Sequence, residues 1–274
     1  MYTTYWKLNA RPFENRFDRP FYYPAEVHQA TLLKLRYAIE NRRGATLLVG
    51  AAGLGKTLLV HLLNEDLPED CGPLVHVKFP QMPPPDLLSL LADALTGEEG
   101  REGSIHRSVQ RIEQALVRHA ENQRHALVVL DEAHLLSDTG GLETVRLLLN
   151  FEVSWTLLLV AQPAILPALE RFPELEERLG VKCQLRRFTV EETVSYVHHR
   201  MLVAGVVDPQ AIFAPAALEA IHQLTDGIPR RINRVCDMCL LIGYAEDLTQ
   251  VTADHVRAVA AELFAAPSVL RQAA

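Results

Sequence analysis

Apolar residues in this chain gather into short, compact runs separated by longer amphipathic stretches. Ala45–Val49, Leu74–Phe79, Ala126–Leu130 and Thr156–Ala161 are mostly apolar runs of strand length, the pattern of strands buried in a parallel sheet. Helical spacing fills the intervals. From Ala25 to Arg43, the residues Ala30, Leu33 and Tyr37 lie on one helical face, and Gly44 is expected to stop the helix. Further helices are predicted from about Lys56 to Leu67, from Asp86 to Leu95 and from Gly141 to Glu152. Another opens at Ser104 as N-cap and carries Ile105, Val109, Ile112 and Leu116. Pro80–Pro85 and the acidic Gly97–Gly103 stretch are read as loops.

Past Phe188 the rhythm changes. Thr189-Val190-Glu191-Glu192 is a capping box opening a helix to about Ala204, and Pro215–Thr225, Pro229–Glu246 and Ala253–Phe264 follow as helices, the last capped by Thr252. No convincing strand is read beyond about Leu185–Phe188. Strands alternating with helices, then helices alone, predict an α/β domain over residues 25–188 and a small all-α domain over 189–266, with a flexible tail at 267–274. Residues 1–24, rich in aromatics and prolines, are expected to lie extended on the α/β domain rather than to form a helix.

Composition narrows the classes. With 49% hydrophobic and 22% charged residues the chain is a globular protein, and at 274 residues it needs no disulfide or metal staple. A net charge of −7 gives no support to a chain-wide nucleic-acid surface, though a local basic patch stays open. Cys71, Cys183, Cys236 and Cys239 are few and scattered, as in a reducing compartment, and the Cys236–Cys239 pair sits on an apolar helix face, which favours a buried structural role. The N-terminus lacks a basic region followed by an apolar stretch, so no signal peptide is expected, and no apolar run nears the roughly 20 residues of a membrane span. The expected location is cytoplasmic.

The chemistry concentrates at two strand ends. Gly50-Ala51-Ala52-Gly53-Leu54-Gly55-Lys56-Thr57-Leu58 contains the full G-x-x-x-x-G-K-[ST] pattern, directly after a predicted strand and opening a helix. Its glycines let backbone N–H groups close around phosphate oxygens, Lys56 would reach the β and γ phosphates of ATP, and the Thr57 hydroxyl would ligate Mg²⁺. Ala126–Leu130 ends in Asp131-Glu132: the first carboxylate would hold Mg²⁺, and the second would orient and deprotonate the attacking water. A helix-start carboxylate is the blander alternative for Glu132. His134 completes an Asp-Glu-Ala-His string but, without other helicase motifs, reads as structural.

The P-loop, Leu130-Asp131-Glu132-Ala133-His134 and Gly227-Ile228-Pro229-Arg230-Arg231-Ile232-Asn233 together resemble AAA+ ATPases. More narrowly, Tyr5-Trp6…Pro12-Phe13, Phe21-Tyr22-Tyr23-Pro24…His28 and Val160-Ala161-Gln162-Pro163 are similar to the group typified by general secretion pathway protein A. The resemblance implies a P-loop AAA+ parallel-sheet sandwich followed by a helical lid. It puts Gln162 at the sensor-1 position, with a turn-capping residue as the alternative, and Arg230 at the sensor-2 position on the γ-phosphate. Arg178 matches a trans-acting arginine finger, with a surface ion pair to Glu174 or Glu177 as the alternative. Tyr23 and His28 would face the adenine, although a structural histidine fits position 28 equally.

There are departures. The asparagine that in many AAA+ proteins restrains the catalytic glutamate has no counterpart in Val77–Gln81, which leaves that restraint absent or passed to Gln81. Longer members continue into a membrane segment and a cell-wall-binding region, and a membrane-tethered role is not carried over to a chain that stops at Ala274. The resemblance implies an ATPase working as a homo-oligomeric ring or filament on a protein client, ATP being turned over to ADP. The competing reading is an ATP-gated scaffold on DNA, like AAA+ regulators of transposition, using Arg42-Arg43, Arg186-Arg187 and Arg230-Arg231 as a basic track.

Overall fold

Among the described residues of the computed structural model, 2–15, 17–98 and 104–264, five runs become strands. They are β1 Ala45–Val49, β2 Cys71–Val77, β3 His125–Leu130, β4 Thr156–Ala161 and β5 Leu179–Gln184. All pair in parallel in the order β2-β3-β4-β1-β5. Every residue of β1, β3 and β4 is buried, as a strand covered on both faces requires. β5 is the strand that the apolar runs do not predict. As an edge strand it alternates, with Leu179 and Cys183 buried and Gly180, Lys182 and Gln184 outward.

Helices α1 Glu26–Glu40, α2 Lys56–Asp66, α3 Pro84–Thr96, α4 Ile105–Glu121 and α5 Gly141–Leu148 accompany the sheet. Ser104 caps α4 as expected, its hydroxyl accepting the Arg107 N–H at 3.4 Å. Three expectations need correction. Pro84 and Pro85 are not loop but the first turn of α3, where a missing N–H has no helical partner to lose. Helix α5 ends at Leu148, short of Glu152. The Ala30–Leu33–Tyr37 face of α1 is outward, with Leu33 71% exposed, and the buried stripe is His28, Thr31, Leu35, Ala38 and Ile39. Of the Gly97–Gly103 connector, residues 99–103 lie outside the described residues, as do 265–274 and with them the predicted tail.

Contacts divide the chain into two units. One holds Val27–Ala52 and Lys56–Leu185, with a core formed by one sheet face (Leu47, Val128, Leu159) together with Leu87, Leu91, Ile112 and Leu116 of α3 and α4. The other joins the N-terminal residues through Glu26, Gly53–Gly55 and the chain from Arg186 onward. It contains α6 Val190–Val203, α7 Pro215–Thr225, α8 Pro229–Ala245 and α9 Ala253–Phe264. The capping box is formed: the Thr189 hydroxyl accepts the Glu192 N–H at 3.2 Å, and the Glu192 carboxylate accepts the Thr189 N–H at 2.9 Å.

The N-terminal segment departs from its expected course. Tyr2–Tyr5 is a single helical turn, and the segment groups with the helical unit rather than with the sheet. Its aromatic rings carry polar handles that find partners there. Tyr2 donates to Asp237 at 2.5 Å, Trp6 to the Leu240 carbonyl at 2.8 Å and Tyr5 to the Leu248 carbonyl at 2.9 Å. Arg200, 7% exposed, donates to the Pro12 and Glu14 carbonyls and to the Tyr196 hydroxyl. Tyr196 passes the chain on to Asn233 at 2.6 Å, and Asn233 to Asn15 at 2.9 Å. Among the described residues the buried guanidinium is thus met by carbonyl and hydroxyl oxygens, without an ion pair to a carboxylate.

Gly227 sits at φ 64°, and a Cβ there would stand 2.2 Å from the Phe188 carbonyl oxygen. Gly227→Ala therefore combines a disfavoured backbone with a hard clash. It is expected to destabilise the protein by roughly 2–4 kcal/mol, seen as a lowered midpoint in thermal unfolding followed by near-ultraviolet circular dichroism.

Candidate functional site

Strand β1 delivers Gly50 to the sheet's C-terminal edge, where its N–H donates to the Ala161 carbonyl at the end of β4, 3.1 Å away. The loop that follows needs glycine at two places, with φ of 84° at Gly53 and 92° at Gly55. At Gly53 there is no space either. A Cβ would lie 2.9 Å from Arg230 Cβ and 3.0 Å from the Ile228 side chain, and the Arg230 N–H donates to the Gly53 carbonyl at 3.3 Å. The loop runs into α2, whose first N–H groups have no acceptor within the helix. Lys56 is 5% exposed, and its ammonium donates to the carbonyls of Gly50 (2.9 Å) and Ala51 (3.2 Å).

At the end of β3, the Asp131 N–H donates to the Val77 carbonyl at 2.9 Å, so β2 fixes where the carboxylate emerges. Asp131 Oδ2 accepts the Thr57 hydroxyl at 2.8 Å and lies 3.6 Å from His76 Nε2, while Oδ1 accepts the Glu132 N–H at 2.9 Å. Burial pushes the Asp131 pKa up, but the contacts from His76, Thr57 and the Glu132 N–H outweigh it and hold the carboxyl below its ordinary value. It is therefore an anion at neutral pH. Glu132 itself takes a left-handed backbone, φ 52°, that swings its side chain away from the strand line. Its Oε2 accepts the Gln162 side-chain amide at 3.1 Å and lies 3.5 Å from His134 Nδ1. Gln162 therefore reaches across to Glu132 instead of folding back on its own turn.

The remaining predicted residues are placed as follows. Arg178, exposed, donates to the Leu149 carbonyl and to Asn150 Oδ1, both at 2.6 Å, so the alternative of an ion pair to Glu174 or Glu177 is replaced by two oxygen acceptors at the end of α5. Arg230 is exposed, and its guanidinium has no ion pair among the described residues. Tyr23 makes edge contacts with Phe188 and Tyr196, ring centroids 6.1 Å apart in each case, within the helical unit. His28 is buried on α1 in the sheet unit. Among the described residues, Glu132 meets the Gln162 amide and the His134 ring. His76 and Asn150 were not signalled by the sequence: a histidine among valines in a strand and an asparagine after a helix carry no motif.

Residues 39–169 match the family model of the AAA domain. Over that segment, just under half of the chain, the protein is similar to AAA domains. The chain is 29% identical to general secretion pathway protein A of Aeromonas hydrophila over 96% of its own length, and it spans 48% of that relative. Among solved structures it resembles the Aeropyrum pernix ORC2 protein in its ADPNP-ADP complexes (TM-score 0.68, 20% identity, 93% of this chain and 72% of that one). It also resembles the Drosophila ORC bound to DNA (TM-score 0.70, 17% identity, 95% and 66%). At these identities the structural likeness is one of fold.

The donors at these strand ends would suit Mg²⁺ better than a metal held by protein alone. Among the described residues no three His, Cys, Asp or Glu side chains are arranged to hold an ion. The Thr57 hydroxyl and the ionised Asp131 carboxylate offer the one or two hard oxygen donors that Mg²⁺ takes from a protein when phosphates and water complete its shell. No described helix is long and apolar enough to cross a membrane.

The cysteines stand apart from this chemistry. Burial pushes the Cys239 thiol up to about 12 and the Cys236 thiol well above its ordinary value, and Cys183 is buried too. Thiols held neutral are poor nucleophiles. With iodoacetamide at pH 8, the folded protein is expected to leave Cys183, Cys236 and Cys239 unmodified in intact-mass measurements, and to alkylate them once unfolded in guanidinium.

Proposed function

We propose that the chain binds Mg·ATP at Gly50–Leu58 and hydrolyses it with Glu132 as the base, in an oligomer where Arg178 enters a neighbour's site. The arrangement of Thr57, Asp131, Glu132 and Gln162 at adjoining strand ends carries this reading. Lys56 would exchange its two loop carbonyls for phosphate oxygens, which are stronger partners for an ammonium. Asp131 and Thr57 would hold Mg²⁺, which when bound neutralises charge on the β and γ phosphates. Glu132 would accept the proton of a water attacking the γ-phosphorus as the bond to the β-bridging oxygen breaks, releasing ADP and phosphate. Gln162 would orient that water, and Arg230, a cation beside Gly53, would meet the γ-phosphate. Tyr23 and His28 are assigned to the adenine.

The client is a protein remodelled or licensed in a secretion or envelope-assembly type system. Similarity to general secretion pathway protein A along nearly the whole chain supports that choice. A cytoplasmic setting is in keeping with four free cysteines. The DNA-scaffold reading is weakened by two of its arginines: Arg186 is paired to Glu192, and Arg187 to Asp226. DNA binding that required ATP and weakened steeply with salt would revive it.

Glu132→Gln is expected to keep ATP affinity, measured by calorimetry, while turnover falls on the order of 10²–10⁴-fold. Normal hydrolysis by this variant would end the assignment of the base. Arg178→Ala is expected to lose about 10³-fold of the turnover that appears as protein concentration rises. Mixing it with Glu132→Gln should restore activity, because an intact Glu132 then meets an intact Arg178 across a subunit boundary. No recovery on mixing would place the finger elsewhere.

A further inference from the structure

The last member of Asp131-Glu132-Ala133-His134 has no part in the mechanism above. His134 lies on the 3-10 turn Ala133–Asp138 with its side chain 14% exposed, and its Nδ1 stands between two groups of opposite demand. The backbone N–H of Gln162 points to it from 3.4 Å, a contact that requires a lone pair on Nδ1. Glu132 Oε2 lies 3.5 Å from the same atom, a contact that requires a proton there. One ring nitrogen cannot serve both at once. Since the Gln162 amide also donates to Glu132 Oε2 at 3.1 Å, the three residues close a ring of contacts in which His134 Nδ1 is the shared atom.

We propose that His134 is a positioning residue that decides whether Glu132 is free to act as base. With a neutral ring protonated on Nε2, Nδ1 accepts from Gln162 and anchors the turn that carries the Gln162 amide. The carboxylate is then left to take a proton from water. With the proton on Nδ1 instead, the ring donates to Glu132, Gln162 N–H loses its acceptor, and the base is withdrawn. The other elements packed on this turn bring little charge. Strand β4 and Pro163–Ile165 have no ionisable side chain, and Glu143 and Arg146 of α5 pair with each other at 2.6 Å. Glu132 is the carboxylate that lies 3.5 Å from the His134 ring.

The inference rests on Glu132 being the base, and its test separates the two claims. In the full-length protein, the ¹⁵N resonances of His134 are identified among those of the 11 histidines by their loss in His134→Gln, and are compared in wild type and in Glu132→Gln at one pH. Nδ1 is expected to move toward an unprotonated, accepting nitrogen when the carboxylate is removed. In parallel, His134→Ala should lower kcat about tenfold with KM for ATP within about twofold of wild type, and His134→Asn, whose amide oxygen can accept from the Gln162 N–H, should recover most of it. A His134 Nδ1 resonance unmoved by Glu132→Gln, or a kcat unchanged in His134→Ala, overturns the role of His134. If Glu132→Gln hydrolyses ATP normally, it is the base assignment that fails.

Discussion

The parallel pairing of β1 with β4 is the constraint on which the rest of the site depends. Ala45–Val49 runs beside Leu157–Ala161, and the ladder continues one step further when the Gly50 N–H donates to the Ala161 carbonyl. That last bond ties the first residue of the phosphate loop to the residue before Gln162. On the other side, the Leu185 N–H donates to Val49, and at the next strand end Asp131 is tied to Val77. Because β1, β3 and β4 are buried at every position, these backbone bonds have no water to exchange with. Loop, carboxylates and amide therefore leave the sheet from one edge with little freedom to drift, the usual place for a ligand in an open parallel sheet.

A second regularity is that most charged groups of the candidate site already have protein partners. The Lys56 ammonium has two carbonyls, Asp131 has a hydroxyl and an N–H, Glu132 has an amide, and Arg178 has a carbonyl and Asn150. Leaving a buried charge unmet costs several kcal/mol, so the fold holds the buried Lys56 and Asp131 in local contacts. Binding at such a site would proceed by exchange of hydrogen bonds rather than by their creation. Its net strength then depends on how much better phosphate and metal serve each group than the contact that is given up.

How much of this was legible in the sequence follows from how local each feature is. The phosphate loop and Asp131-Glu132 are local in sequence, and the strands beneath them are continuous apolar runs, so both are readable without a fold. β5 escapes because an edge strand needs burial only at alternate positions, which leaves Gly180, Lys182 and Gln184 to break the run. In α1 two stripes have helical spacing: the one with Leu33 and Tyr37 faces outward, while the inward one mixes His28 and Thr31 with Leu35, Ala38 and Ile39. Hydrophobic spacing alone cannot rank two such stripes. The acceptors of Arg178 and the sharing of His134 depend on segments 28 or more residues away in sequence, which only the folded chain brings near.

The helical unit is assembled from two distant stretches of chain. Arg200 depends on carbonyls at Pro12 and Glu14, and Trp6 on the carbonyl of Leu240, a separation of 234 residues. On the ribosome, the aromatic segment leaves the tunnel before the sheet unit and before the helices that it packs on. Through all of the synthesis of the sheet unit it waits without its partners, an apolar strip open to solvent or to a chaperone. Its docking then closes a loop of 234 residues between Trp6 and Leu240, a step whose entropic cost grows only slowly with loop length. Across this stretch the order of completion thus runs against the order of synthesis: the aromatic segment is made before the sheet unit and finds its place after it.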